Sequence, residues 1–427
     1  PQSAAPLAEE EPESAMKIAF TCGLWMLFIR ISVLPEVIVN LIHVDTYILY
    51  LITPPVVLGL IVTGGFGRAL RNLPVMFWCG MLVCMLCSVP FSIWVGNSAQ
   101  KVLTYARTDF IALFVLAGTV VNWGQIRRVC NMLAGGGVAV ICVAAVWARP
   151  DSEGRLMLDF GGTIGNSNDL AAHLILLMPF MVLHAIKPER GALVRYGLFG
   201  LTLYGLWIVI GTASRGALIS IAVITLVLFM RSKASQKLLI GLAIPALAAI
   251  VMVVAPGKVL ERLATLFVSE ATSEVSAEAG ESMNSRRYLL EQSIKFTLEN
   301  PIFGVGPGQF ANFEGQYMTA LGKHGNWHAT HNSYTEMSSE CGMPALIFMI
   351  LGLGSAVVIV NRTYVRAKRL GNEEIMRISL YFTCSMLAYA VCITFLACAY
   401  RFTLPTMVGF AVAIRNASLT QFTLTKR

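Results

Sequence analysis

Charged residues are scarce in this chain of 427 residues: 13% are Asp, Glu, Lys or Arg, while 56% are hydrophobic. Soluble domains have about 25% charged residues. The low charge excludes a soluble core of this size and indicates a polytopic membrane protein. The formal net charge of +8 does not indicate nucleic-acid binding, because the basic residues lie in short loops between hydrophobic runs, where they set membrane orientation.

Several common motifs are absent. The ten cysteines form no disulfide framework, and the CxxC at Cys84–Cys87 lies inside a hydrophobic run without a second pair at zinc spacing. The glycine-rich stretch 304–308 lacks the Lys-Ser/Thr of a P-loop, so it predicts a turn and not a nucleotide site. No clear internal repeat is present, which argues against a transporter. Residues 1–15 are rich in Pro, Ala, Ser and Glu, and they predict a disordered segment and not a signal peptide.

Long hydrophobic runs dominate the rest of the chain. A transmembrane helix needs about 20 mostly apolar residues, and on that basis we expect an all-α polytopic membrane protein. The twelve predicted transmembrane helices are 16–35, 46–64, 74–96, 108–122, 128–147, 169–187, 194–212, 215–231, 238–255, 341–361, 375–399 and 402–416.

Basic residues occur on every second connection between these runs. The positive-inside rule therefore places the N-terminal segment 1–15 and the tail 417–427 in the cytoplasm. The connections 97–107, 148–168 and 256–340 are then expected on the outer side, which is the periplasm for a bacterial inner membrane.

The polar segment 256–340 separates nine predicted helices (16–255) from three more (341–416). Within it, residues 270–282 predict a mobile acidic loop. Residues 285–300 have an apolar stripe at helical spacing that ends at Asn300-Pro301, and so predict a helix. We expect this segment to cover a site in the membrane domain and to carry its catalytic groups.

Three arginines are candidate anion ligands. Arg215 follows a turn of small residues between two hydrophobic runs, where a charge is costly. It is either an interfacial arginine that snorkels to headgroups or a phosphate ligand. Arg286 and Arg287 begin the predicted helix 285–300, where basic side chains oppose the helix dipole unless a phosphate binds there. Alternatively, both are solvated; being adjacent, at most one is expected to face a site.

Three histidines, His324, His328 and His331, have a spacing that could suit zinc. A glycine and an asparagine between them argue against a helix, and no HExxH is present, so we expect no metal. His331 precedes Asn332, a good N-cap residue. We predict that His331 lies at a helix N-terminus at the outer membrane surface, where a lowered pKa favours the proton-accepting neutral form. The alternative is a structural surface histidine.

Other polar residues occur on the two remaining outer connections. Asn166 and Asn168 open the sixth hydrophobic run, and either they bind a ligand or this stretch only caps the helix. Three further candidates, which bind either phosphate or lipid headgroups, are Lys101, Tyr105 and Arg107.

The order of these residues resembles the signature of the O-antigen ligase and polymerase superfamily. These are bacterial inner-membrane glycosyltransferases that take glycans from undecaprenyl pyrophosphate. The similarity covers residues 200–355, and Asn166-Ser-Asn168 resembles an outer-loop asparagine motif of the family. The matching pieces are Ser214-Arg215-Gly216, Arg286, Pro301-Ile-Phe-Gly-Val-Gly-Pro-Gly308, His331-Asn332 and Glu340-Cys-Gly342.

Within the superfamily the chain most resembles the O-antigen ligases, which move the finished polysaccharide onto lipid A-core; the polymerases are the alternative. The resemblance implies a GT-C-like architecture and an inverting reaction without metal or cofactor. It implies that His331 is the catalytic base, with His328 as the alternative. Arg215 and Arg286, or Arg287 in another helix register, would hold the pyrophosphate. The implied partners are the undecaprenyl-pyrophosphate-linked glycan, lipid A-core and membrane lipids.

Overall fold

Helices make up most of the computed structural model, which describes residues 14–45, 47–158, 160, 162–254, 257–264 and 274–424. Of the segment 1–15 predicted to be disordered, residues 1–13 lie outside these ranges, and the prediction is wrong for Ser14 and Ala15, which begin the first helix. The described helices are α1 Ser14–Ile31, α2 Leu34–Ile42, α3 Ile48–Val62, α4 Gly65–Leu70, α5 Leu73–Ser88, α6 Val95–Thr104, α7 Ile111–Thr119, α8 Trp123–Trp147, α9 Ser167–Ala185, α10 Ala192–Gly211, α11 Arg215–Arg231, α12 Ala234–Val254, α13 Gly257–Ala264, α14 Glu274–Glu299, α15 Phe310–Ala320, α16 Ser333–Arg369, α17 Glu373–Cys392 and α18 Thr403–Leu424.

Short elements join some of these helices. A π-helical turn, Tyr105–Phe110, connects α6 to α7, and 3-10 turns follow α5 and α17. A two-residue strand pair forms a small antiparallel hairpin between α8 and α9: β1 Arg149–Pro150 and β2 Leu156–Met157.

Among the residues that the structure describes, eight helical stretches are long and apolar enough to cross a membrane, and α3 is a shorter apolar helix. The chain is therefore an all-α multi-pass membrane protein, as its composition predicts. A helix occurs in each of the twelve predicted runs, but α11 has 17 residues and α3 has 15, so the count of twelve spans stays a prediction. The eight stretches are Ser14–Ile31, Leu73–Phe91, Val95–Thr119, Trp123–Trp147, Ser167–Ala185, Ala192–Gly211, Ser333–Arg369 and Glu373–Phe395.

Polar N-caps set where several helices begin. Asn122 forms a capping box with Gln125 at the start of α8. Asn166 caps α9, Ser214 caps α11 and Asn332 caps α16, each accepting from backbone N–H groups in the first turn. Three of these four capped ends surround the cavity described below.

The middle of the bundle is close-packed around α18. Its residues from Phe402 to Ile414 are buried. A Cβ at Gly409 would lie 2.5 Å from the Leu113 carbonyl oxygen of α7. The absence of a side chain there allows the two backbones to approach closely, as small residues do between membrane helices.

The turn 301–308 docks onto a break in α16. The break is at Gly342, with φ 85° and ψ 167°. Just before it, the buried carboxylate of Glu340 accepts hydrogen bonds from the backbone N–H groups of Gly308 (2.6 Å) and Phe310 (3.1 Å) and from the Tyr400 hydroxyl (2.5 Å). The predicted glycine turn is thus held by both oxygens of a buried carboxyl group, and leaving such a buried group without its partners costs about 1–3 kcal/mol.

Two predicted loops are helical instead. The outer connection 97–107 lies in α6 and the π-helical turn, because its polar residues occupy helix faces and no Pro interrupts it. Residues 274–282 of the predicted acidic loop belong to α14, since Ala, Glu and Met favour helix; residues 270–273 lie outside the described ranges. The predicted helix end before Pro301 is confirmed, but Arg286 and Arg287 lie in mid-helix, so the helix-dipole interpretation is wrong.

Two glycines of α16 provide a matched test of this docking. A Cβ at Gly342 would clash with the backbone of Ile302 and would be in the left-handed region, whereas a Cβ at Gly354 meets nothing within 4 Å. We expect Gly342→Ala to destabilise the protein by at least about 1–3 kcal/mol. Gly354→Ala should be neutral or stabilising by up to about 1 kcal/mol. Thermal unfolding in detergent measures both, and equal Tm values for the two variants would contradict the docked turn.

Candidate active site

A cavity of about 340 Å³ lies between the start of α11, the middle of α14, the start of α16 and the connection from α17 to α18. It brings together most of the polar residues that the sequence singles out. Its polar lining residues include Arg155, Asn168, Arg215, Arg286, Arg287, Thr330, His331 and Asn332.

Arg215 is the first residue of α11 and faces α14, where its Nη1 lies 3.5 Å from the sulfur of Met283. The turn before it is strained, since Ala213 has a φ of 48°. Gly216 lets the Phe395 ring approach the backbone, because a Cβ there would lie 2.7 Å from it. Arg215 thus projects from the N-terminus of a helix, where the backbone dipole adds further positive potential.

The two adjacent arginines of α14 differ in environment. Arg286 is half-buried at the cavity. The Arg287 side chain is 77% exposed and forms an ion pair with Glu291 at 3.0 Å. Both line the cavity, but Arg286 is the more buried of the two, and we assign it as the inward residue.

His331 immediately precedes the N-cap of α16. Its φ of 51° places it in the left-handed region. The hydroxyl of the buried Thr330 accepts a hydrogen bond from the Asn332 N–H at 3.3 Å, and this bond links the residues on either side of His331. Burial, the nearby Arg286 guanidinium and His328 lower the pKa of His331 to about 4. The imidazole is therefore neutral at pH 7 and able to accept a proton, as the sequence predicts, although burial is the main cause.

Arg155 is a cavity residue that the sequence interpretation missed. Its guanidinium donates to the Thr212 carbonyl and to Asn168 Oδ1, both at 3.1 Å, and its side chain is 11% exposed. It ties the turn before α11 to the first turn of α9. The sequence feature that could have identified Arg155 is the Asp-Ser-Glu-Gly turn at 151–154. Such a turn predicts a hairpin, which brings Arg155 back toward the bundle.

The two asparagines before α9 have different roles. Asn166 Oδ1 accepts from the Asp169 N–H at 3.0 Å and so caps the helix. Asn166 is exposed and does not line the cavity, whereas Asn168 does.

The candidates on 97–107 do not reach this cavity. Tyr105 is 1% exposed and accepts a hydrogen bond from Trp78 Nε1 at 3.0 Å, so it is not available to a phosphate. Lys101 Nζ lies 4.8 Å from the centre of the Tyr400 ring. Arg107 is exposed elsewhere on the surface. In a loop these side chains could have turned toward the cavity, whereas the helix holds them away from it.

The three histidines do not converge, since His324 and His328 are exposed while His331 is half-buried. His328 does not line the cavity, although it is near enough to influence the pKa of His331. Within the described ranges, no group of three or more His, Cys, Asp and Glu side chains is arranged to hold a metal ion.

The cavity combines guanidinium groups with a neutral imidazole. Arg215 and Arg286 supply planar donors that suit the oxygens of a phosphate or pyrophosphate. Arg155 adds positive charge, while its guanidinium is held by Thr212, Asn168 and, at 3.8 Å, Glu153. Ile219, Leu290 and Phe395 supply apolar walls, which lower the local dielectric and strengthen charge interactions. Such a site can bind a polyanion on an apolar carrier and remove a proton beside it.

The fold and the site define a multi-pass membrane protein with a cationic cavity and a proton acceptor at one end of the helix bundle. Residues 200–350 match the family described as O-antigen ligase (Wzy_C). The match confirms the resemblance to the O-antigen ligase and polymerase superfamily, whose members are glycosyltransferase-like enzymes of O-antigen pathways. A comparison with curated proteins gives no significant match.

The matched stretch contains Arg215, Arg286 and His331, whereas Arg155 and Asn168 lie outside it. The match covers well under half of the chain. It does not separate a ligase from a polymerase.

The neighbouring arginines of α14 offer a test of anion binding with a built-in control. We expect Arg286→Gln to weaken pyrophosphate binding by about 10–100-fold, the equivalent of one charged hydrogen bond of about 1.5–3 kcal/mol. Arg287→Gln should weaken it by less than about threefold, since exposed ion pairs contribute little. Pyrophosphate is titrated into each purified variant, and the rise of Tm with pyrophosphate concentration gives the two dissociation constants. Equal losses would contradict the assignment of Arg286 as the inward residue.

Proposed function

We propose that this protein is an O-antigen ligase of the bacterial inner membrane. It would transfer a polysaccharide from undecaprenyl pyrophosphate to a sugar hydroxyl of lipid A-core on the periplasmic face, with both termini in the cytoplasm. The observation that carries the proposal is the position of neutral His331 beside Arg215 and Arg286, in one cavity and within the stretch that matches the family.

The arginines would bind the donor through its pyrophosphate. Arg215 comes from the start of α11 and Arg286 from α14, so the group would be held from two sides. Breaking the bond to the anomeric carbon leaves the departing pyrophosphate with additional negative charge. Guanidinium groups already fixed in a partly dry cavity stabilise that charge as it develops. In this role they replace a divalent cation, and we propose a metal-independent reaction.

His331 would act as the general base. Its neutral imidazole accepts the proton of the acceptor hydroxyl while that oxygen attacks the anomeric carbon. The carbon–oxygen bond to the pyrophosphate breaks on the opposite side, so the configuration inverts. The low pKa keeps His331 neutral and ready at pH 7, and general-base catalysis contributes typically about 10²–10⁴-fold.

One feature favours the ligase over the polymerase. A long segment outside the apolar runs, comprising α13, α14 and α15, lies between α12 and α16, which resembles the ligases. The GT-C-like architecture of twelve spans is part of the same proposal.

A transfer assay tests both the reaction and the base. Purified protein is mixed with undecaprenyl-pyrophosphate glycan and lipid A-core in EDTA, and a gel shows glycan-bearing lipopolysaccharide. We expect product from the wild type and a rate reduced about 10²–10⁴-fold in His331→Ala. His328→Ala serves as the matched control and should retain most of the activity. Longer glycans on the carrier lipid without product on lipid A-core would indicate the polymerase.

The pH profile of kcat/KM tests the environment of His331. Because its pKa is lowered to about 4, the base should stay deprotonated from pH 8 down to about 5, and activity should fall only nearer pH 4. In Arg286→Gln one positive charge that lowers this pKa is gone, so the acid limb should move to higher pH. Arg287→Gln should leave it in place. An inflection near the ordinary histidine pKa in the wild type, unchanged in Arg286→Gln, would contradict the assignment.

A further inference from the structure

A second basic cavity lies at the other end of the bundle. It has a volume of about 470 Å³ and is bounded by the start of α5, the distal half of α16 and the C-terminal half of α18. The part of α16 from its break at Gly342 to Arg366 alone has a length on the order of 36 Å, and the two cavities share no lining residue. The two cavities are therefore separate sites.

Four arginines line this second cavity, and they come from three different parts of the chain: Arg71, Arg362, Arg366 and Arg415. No Asp or Glu is among its lining residues, and none of the four arginines forms an ion pair within the described ranges. Side chains of one charge that converge in this way repel one another. A bound anion would remove that repulsion.

Neutral contacts hold two of the four arginines toward the cavity. Arg415 Nη1 donates to Asn72 Oδ1 at 2.9 Å, and the Arg366 guanidinium lies 4.6 Å from the centre of the Phe422 ring. Asn72 precedes α5 but makes no side-chain cap with it. The positive N-terminal end of α5 therefore lies at the same cavity without a capping acceptor.

The cavity also has an apolar side. Leu73 and Leu419, both in its lining, are 62% and 38% exposed. Ile359, also in the lining, lies about one helical turn before Arg362 on α16. An anion that carries apolar chains fits this combination better than a free phosphate does. Basic pockets between membrane helices bind the headgroups of anionic lipids in this way.

We propose that this cavity binds the phosphate headgroup of an anionic phospholipid, whose acyl chains lie against the apolar side of the helix bundle. The arginines donate to the phosphate oxygens, and the lipid becomes part of the packing between α5, α16 and α18. This inference is independent of the proposed function. It concerns a site far from the reacting groups.

Phosphatidylglycerol is the probe, added to purified full-length protein in neutral detergent, with phosphatidylcholine and inorganic phosphate in parallel. We expect phosphatidylglycerol to raise the Tm of the wild type, while phosphatidylcholine and inorganic phosphate do not. Arg362→Gln/Arg366→Gln should lose at least half of the shift and bind the lipid at least fivefold more weakly in native mass spectrometry. The matched control is Lys368→Gln/Arg369→Gln, which removes the same charge from the same end of α16 outside the cavity.

The control separates a lipid site from basic residues that only set orientation. Equal losses in the two double variants, or an undiminished shift in Arg362→Gln/Arg366→Gln, would overturn the proposal. A full shift with inorganic phosphate alone would overturn the lipid as the occupant. Replacing Arg366 also removes its packing on Phe422. Arg71→Gln therefore serves as a second variant, which leaves α16 unchanged and should also weaken phosphatidylglycerol binding.

Discussion

The start of α16 is the element on which the candidate active site depends. Its buried Glu340 holds the turn 301–308 through two backbone N–H groups, and that turn follows directly on α14, which carries Arg286. Ser333 donates to the Leu396 carbonyl at 2.6 Å and accepts from the Cys398 N–H at 2.8 Å. The same helix start therefore fixes α14 on one side and the α17–α18 connection on the other. Each of these hydrogen bonds contributes about 0.5–1.5 kcal/mol net, and a buried partner left unpaired costs about 1–3 kcal/mol, so together they hold the cavity walls in one arrangement.

Helix N-termini account for much of the electrostatic character of the cavity. α9, α11 and α16 all begin beside it, and each carries a polar N-cap. The dipoles of three helix starts add positive potential to that of Arg155, Arg215 and Arg286. Two residues with positive φ, Ala213 and His331, lie one position before two of these caps. Backbone strain of about 1–3 kcal/mol per residue is common at functional sites. Here the two strained turns place Arg215 and His331 at the same cavity.

Local sequence signals predicted the parts of the site but not their assembly. Caps and apolar runs indicated the starts of α11 and α16, so Arg215 and His331 could be placed at the membrane surface. The low pKa of His331 also followed, although it arises mainly from burial, a tertiary effect.

Arg155 was missed because only the folded hairpin brings it beside Asn168. Tyr105 was misjudged because polar residues in 97–107 indicated a loop, whereas the segment forms a helix that buries the ring. The choice between Arg286 and Arg287 required the helix register, which sequence spacing alone left open.

The proposed mechanism requires the donor's pyrophosphate to lie between Arg215 and Arg286, with His331 beside the reacting carbon. The most direct measurement is a structure of the protein with undecaprenyl pyrophosphate bound. We predict phosphate oxygens within hydrogen-bonding distance of both guanidinium groups, about 2.7–2.9 Å, and the His331 imidazole beside the site where the donor sugar is attached. Phosphates bound elsewhere, for example against Lys101 and Arg107, with the cavity of α11, α14 and α16 unoccupied, would contradict the account.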